Sequence, residues 1–162
     1  MNKNYWTLIV PVIFLTVVYY LNIIIDSYFN LPKIPFNLNL IAYPLIIIGM
    51  TIIFSVFYLF INFGAGTPIP KQFVPKLATK KLVTNGVFKY SRNPFAIGML
   101  MTLVGFGLYI KSYFMIALTI IMFIGGYLFI VYVEEPDMEQ RFSKEYLEYK
   151  KKVQRWLPKF RS

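Results

Sequence analysis

Three short polar stretches interrupt a chain that is otherwise largely hydrocarbon. The first is Gly64-Ala65-Gly66, where glycines let a ligand approach the backbone closely. The second is Ser91-Arg92-Asn93-Pro94, with Gly98 one turn further on. Proline suits the first turn of a helix, where free N–H groups and the positive dipole end favour an anion. Arg92 is placed to hold a carboxylate at that helix start. The third is Glu134-Glu135-Pro136. Adjacent residues on a helix point about 100° apart, so two neighbouring carboxylates at the end of an apolar run cannot both reach bulk water easily. Anions at a helix C-terminus also oppose the dipole. Such a local conflict marks a functional position. The chain has no cysteine and no histidine. Thiolate nucleophiles and disulfides are therefore excluded, as are the commonest metal ligand and the commonest general base. No metal site is expected.

The elements that must hold these residues follow from charge. The 162 residues are 57% apolar and 15% charged, well below the quarter or so usual in a soluble domain. Six of the seven acidic residues lie from Glu134 onward, and Asp26 is the exception. Long uncharged runs predict four membrane spans, about Tyr5 to Ile25, Leu38 to Phe63, Phe95 to Ile110 and Tyr113 to Val133. Lys111 marks a tight hairpin between the third and fourth. The first run is too long for a signal-peptide core and lacks a small-residue cleavage site, so it reads as a span. The expected architecture is an all-α, integral membrane four-helix bundle. It carries a cytoplasmic loop and an amphipathic C-terminal helix, as one domain over residues 1–162.

Four spans put the N-terminus, the loop from Gly64 to Arg92 and the tail from Glu134 on one side. That side carries fifteen of the seventeen cations, while Lys33 and Lys111 lie on the other. The positive-inside rule places both termini in the cytoplasm. Cations beside spans bind anionic headgroups, so the net charge of +10 calls for a bilayer rather than a nucleic acid. The long loop contains the turn signal Asn85-Gly86 and alternates cations with apolar residues, as a surface-lying loop or lid would. In the tail, Met138, Phe142, Tyr146, Tyr149 and Val153 form one apolar helical stripe. Asp137 with Arg141, and Glu148 with Lys152, are spaced as supporting i,i+4 pairs. Pro136 is expected to kink the chain or start a new helix.

Taken together, G-x-G-T, K-L-V-T-N-G-V-F-K-Y-S-R-N-P-x-x-x-G and E-E-P-D-M-E-Q-R-F-S-K-E-Y-L-E-Y-K-K-K-V-Q-R-W-L-P resemble the membrane methyltransferases. These comprise the isoprenylcysteine carboxyl methyltransferases and the phosphatidylethanolamine N-methyltransferases. The resemblance covers about residues 64–160. It implies an S-adenosylmethionine site at the cytoplasmic membrane face, enclosed by the last two spans, the preceding loop and the tail. Gly64, Gly66, Tyr90, Arg92, Asn93, Pro94, Gly98 and Tyr149 would line the cofactor, and Glu134 and Glu135 would match the family's acidic pair. Tyr146, Arg155 and Trp156 fall in the tail that closes the site. Asn93 stands where many relatives have His, and Ala96 where many have Tyr.

Methyl transfer from a sulfonium needs alignment and exclusion of water, not a protein nucleophile. The acceptor would be a lipophilic small molecule or prenylated substrate. For a carboxylate acceptor, Arg155 would orient it; for an amine, Glu134 or Glu135 would take the proton. Glu135 and Arg155 are thus the candidate catalytic residues. A coupled transporter would need ionisable groups within its spans, which these lack. A sterol-type NADPH reductase and a non-catalytic four-span protein are the alternatives.

Overall fold

The computed structural model describes residues 9–64 and 78–156, whose regular elements are all helical, with no β-strand among them. Helix α1 spans Ile9–Tyr28, α2 Asn39–Leu59, α3 Pro94–Tyr109, α4 Tyr113–Phe129 and α5 Glu135–Lys152. A π-turn, Phe60–Gly64, extends α2, and a second, Ile130–Glu134, joins α4 to α5. A 3-10 turn covers Gly86–Lys89. Helices α1, α2 and the α4 run are long and apolar enough to cross a bilayer, and α3 is a shorter apolar helix of 16 residues. The arrangement is a membrane helical bundle.

The expected segments recur with informative shifts. Helix α1 runs past the expected end at Ile25, because Asp26 is buried and neutralised by Lys33 at 2.5 Å. Pro94 lies inside α3, in its first turn. The α3–α4 hairpin is tight: Lys111 takes φ +57°, and the Ser112 hydroxyl accepts from the Met115 amide at 3.0 Å, capping α4. The turn at Asn85-Gly86 forms with Gly86 at φ +58°.

Pro136 does not kink the chain. It occupies the first turn of α5, just after the π-turn. Proline offers no N–H to the preceding turn, and a π-turn is a way to absorb the lost bond. The sharp break comes later, at Ser143, with φ +41° and ψ −117°. That break sends the second half of α5 back onto the bundle. Tyr146 and Tyr149 then bury against Val56, Leu59, Phe60, Val83 and Phe88, with Met138, Phe142 and Val153 beside them. All five residues of the expected stripe meet in this cluster. Asp137 and Arg141 pair at 2.9 Å, and Arg141 also donates to the Thr79 carbonyl, tying α5 to the loop. Glu148 and Lys152 stay exposed and form no ion pair among the described residues.

Helices α2 and α3 pack at backbone distance. A methyl group on Gly49 would lie 2.7 Å from the Gly98 carbonyl oxygen, and one on Gly98 would lie 2.9 Å from that of Gly49. Small residues at such crossings let membrane helices gain dispersion contacts.

Candidate functional site

The site forms where the α3 start, the α4–α5 junction and the chain after α5 converge. In the zipper that joins them the acceptors are backbone carbonyls. The Arg92 amide donates to the Gln154 carbonyl at 2.9 Å. The Ser91 hydroxyl donates to the Arg155 carbonyl at 2.9 Å, and the Asn93 side-chain amide reaches the same oxygen at 3.4 Å. Asn93 therefore spends its side chain on the tail, and α3 has no side-chain N-cap. The Tyr149 hydroxyl donates to the Phe88 carbonyl at 2.6 Å, pinning α5 to the 3-10 turn. Residues 153–156 lie as a strap over the α3 start.

Charge concentrates on Glu135. Arg155 grips it with two bonds, Nε at 2.8 Å and Nη2 at 3.0 Å. Arg92 Nη1 lies 3.1 Å away, and Lys150 Nζ 3.5 Å. Burial alone raises the Glu135 pKa, but the Arg155 hydrogen bond and the charges of Arg92, Arg155 and Lys150 outweigh it and hold it below the usual range. The same bond raises Arg155. Both guanidiniums expected to meet a ligand are thus engaged with one carboxylate. Arg92 still has a free donor: its Nε is buried and makes no hydrogen bond.

Glu134, the preceding residue, has the opposite character. No ion pair or hydrogen bond reaches its carboxylate among the described residues. Burial, then the charges of Glu135 and Asp137, push its pKa up to about 7. Tyr146 is pushed up to about 12, chiefly by burial and then by Glu135, and burial raises Tyr149 as well. Both tyrosines remain hydroxyl donors at neutral pH.

Two adjoining cavities open from this point. A small one of about 40 Å³ lies beneath Tyr146 and Tyr149 and reaches Glu134 and Glu135. A larger one of about 280 Å³ runs between α3 and α4, lined by Met99, Leu103, Met122 and Phe123 among others. Phe60, Phe88, Arg92, Asn93 and Glu134 border both. Trp156 closes one wall, 5.3 Å from the Phe123 ring and stacked on Tyr127 at 6.1 Å. Arg155 sits over the Tyr127 ring at 5.7 Å.

The expected site residues thus separate. Arg92, Asn93, Pro94 and Glu134 border the larger cavity, Glu135 and Tyr149 the smaller, and Arg155 pairs with Glu135 at their edge. Gly98 faces α2 instead, and Tyr90 is exposed. Gly64 ends the π-turn after α2, and Gly66 lies outside the described residues. Sequence reasoning passed over Lys150 and the α4 wall of Phe123, Gly126 and Tyr127, and gave Ser91 no role of its own. Lys150 lies in a run of three lysines, and the wall is hidden in a uniformly apolar run.

The described residues thus form a helical membrane bundle with a polar pocket at one end and an apolar slot between α3 and α4. Residues 38–145 match the family model described as phospholipid methyltransferase, and the chain belongs to that family. It is a membrane methyltransferase. Comparisons with curated proteins and with solved structures gave no match.

Proposed function

We propose that the protein transfers a methyl group from S-adenosylmethionine to the amine of a lipid at the cytoplasmic membrane face. The observation that carries this reading is the pairing of two unsatisfied groups at the cavity mouth: the lone Glu134 carboxylate and the orphaned Arg92 Nε.

The donor is a zwitterion with a sulfonium and a planar base, and the residues fit it. Arg92 Nε and the uncapped first-turn amides of α3 suit its carboxylate. Trp156, Tyr127 and Phe123 offer aromatic faces for a cation or a base. When bound, S-adenosylmethionine supplies an activated methyl group, so the chain need only position, desolvate and move a proton.

The charge balance favours an amine acceptor over a carboxylate. Arg155 and Arg92, the two guanidiniums beside the cavities, are already engaged with Glu135 and so are poorly placed to take a second carboxylate. A lone Glu134 would repel one. The same Glu134 attracts an ammonium, and with a pKa of about 7 it is suited to take the proton that must leave before nitrogen can attack. Glu135 and Arg155 then act as the clamp that holds the strap shut, and Glu134 as the base. Membership of a methyltransferase family favours this chemistry over nicotinamide reduction. The charge asymmetry of the sequence supports a cytoplasmic site.

The test is titration of the purified protein with S-adenosylmethionine, followed by incubation with labelled donor and extracted lipids. Saturable binding is expected, weakened about tenfold in Arg92→Lys, which keeps the charge facing Glu135 but removes Nε; that is about 1.4 kcal/mol. Label should enter amine-bearing lipids. A folded sample that binds no donor, or that labels only carboxylates, overturns the reading.

A further inference from the structure

Gly49, Gly98, Gly105 and Gly107 are explained by packing: a Cβ at each would strike a neighbour at 2.3, 2.9, 2.7 and 2.6 Å. Gly126, in the body of α4, is not. Nothing lies within 4 Å of where its Cβ would stand, so no close helix crossing requires a glycine there. Glycine inside a helix is disfavoured relative to alanine, so that space calls for an explanation. Gly126 is one of the residues that line the larger cavity. Its neighbour Gly125 also meets nothing within 4 Å, but it is exposed and is not part of that wall.

Gly126 lies eight residues before Glu134, about 12 Å along the helix at ~1.5 Å per residue. Leu103 lies a similar distance from Pro94 on the facing helix α3. At this depth the lining is Met99, Leu103, Met122 and Phe123. The Thr119 hydroxyl there is spent on the Met115 carbonyl at 2.8 Å. A ligand at this level meets mainly apolar side chains, with the Tyr127 and Trp156 rings at one wall, whereas its other end meets Glu134 and Arg92.

We propose that Gly126 sets which hydrocarbon chain the enzyme accepts. Its missing side chain leaves the width in which one chain of a lipid amine lies between α3 and α4, with the amine at Glu134. This rests on the amine-acceptor reading above and adds to it a residue that determines specificity.

Full-length protein is assayed in one detergent with dioctanoyl, dilauroyl and dipalmitoyl phosphatidylethanolamine. Gly126→Leu should lower kcat/KM for the long chain relative to the short one by about tenfold, the scale of a few methylene contacts. Gly125→Leu, on the bilayer side, should leave that ratio within about twofold. An unchanged ratio in Gly126→Leu overturns the proposal. So does an equal slowing of all acceptors in both Gly125→Ala and Gly126→Ala, the signature of a hinge.

A second measurement needs neither turnover nor a bulky variant. The chain has no cysteine, so G126C carries the sole thiol. Its labelling by an alkyl methanethiosulfonate should be blocked by the dipalmitoyl lipid, and that of G125C should not. Blocking in a protein whose wild type methylates no amine lipid sinks the reaction and spares this proposal. An active enzyme with unprotected G126C does the reverse.

Discussion

At the scale of single residues, the site turns on two neighbours with opposite environments. Glu135 meets three cations, and Glu134 meets none among the described residues. Separating the pKa values of two carboxylates is a common way to give them different tasks. Two consequences follow for Glu134→Gln. Transfer to an amine acceptor should fall by about 10²-fold or more, the usual contribution of a positioned base. The acid limb of the wild-type rate profile, centred near pH 7, should vanish with it. Steady-state rates between pH 5.5 and 8.5 would show both. The stability effect has a definite sign. The folded-state pKa is raised, so the folded protein binds the proton more tightly than the unfolded chain. Stability therefore falls as pH rises from the ordinary glutamate range through about 7, and the full penalty remains above that. Glu134→Gln should thus stabilise the protein at pH 8 by about 1–3 kcal/mol, at ~1.4 kcal/mol per unit, raising its melting temperature there, and lose that advantage near pH 4.5. An equal melting temperature at pH 8 would show that the carboxylate is solvated.

At the scale of elements, what sequence revealed and what it hid have the same cause. Uncharged runs of about twenty residues have few fates other than spans, so the four helices were legible. So was the α5 stripe, because 3.6-residue periodicity survives in a charged segment. Which of Glu134 and Glu135 faces the cavity was not legible: the π-turn at Ile130–Glu134 alters the angular register that an α-helix would impose. The strap was hidden too, because its bonds run to the Gln154 and Arg155 carbonyls, which any residue supplies. Gly98 looked like part of an anion cradle, since its partner Gly49 lies far away in sequence. Its contact predicts a structural phenotype. Gly98→Ala puts a methyl 2.9 Å from a backbone oxygen of α2. It should destabilise the bundle by about 1–3 kcal/mol, the usual range for overpacking. The affinity of the folded fraction for S-adenosylmethionine should not change. Thermal melts beside donor titrations separate the two effects, and a loss of affinity without a loss of stability would return Gly98 to the cofactor site.

At the scale of the whole molecule, one ion cluster links the tail to the α3 start and the α4–α5 junction, so closure of the site and order of the tail are one event. Glu135→Gln leaves Arg92 buried without its counter-charge and frees Arg155. Breaking a buried pair by removing one partner costs about 3–5 kcal/mol, and the partial exposure of Arg155 places this case toward the lower end. The strap should loosen before the spans do: hydrogen exchange at Arg92, whose amide is bonded to Gln154, should speed up while α2 and α3 keep their protection. Uniform loss of protection would mean that the cluster holds the fold and not the strap. The same molecule has two unlike ends. Lys33 and Lys111 sit at the end where the α1–α2 turn bridges to Ser112. Lys80, Lys81, Lys89, Lys144, Lys151 and Lys152 are exposed at the other, around the site. Translocating that second group would cost far more than translocating the first, which fixes the expected orientation. In a chain without cysteine, K111C and K151C each report one end. An impermeant maleimide should label K111C on intact cells and K151C only after permeabilisation. Labelling of both from one side would refute the crossing of α4 and with it the four-span bundle, and the reverse pattern would put the site outside the cytoplasm.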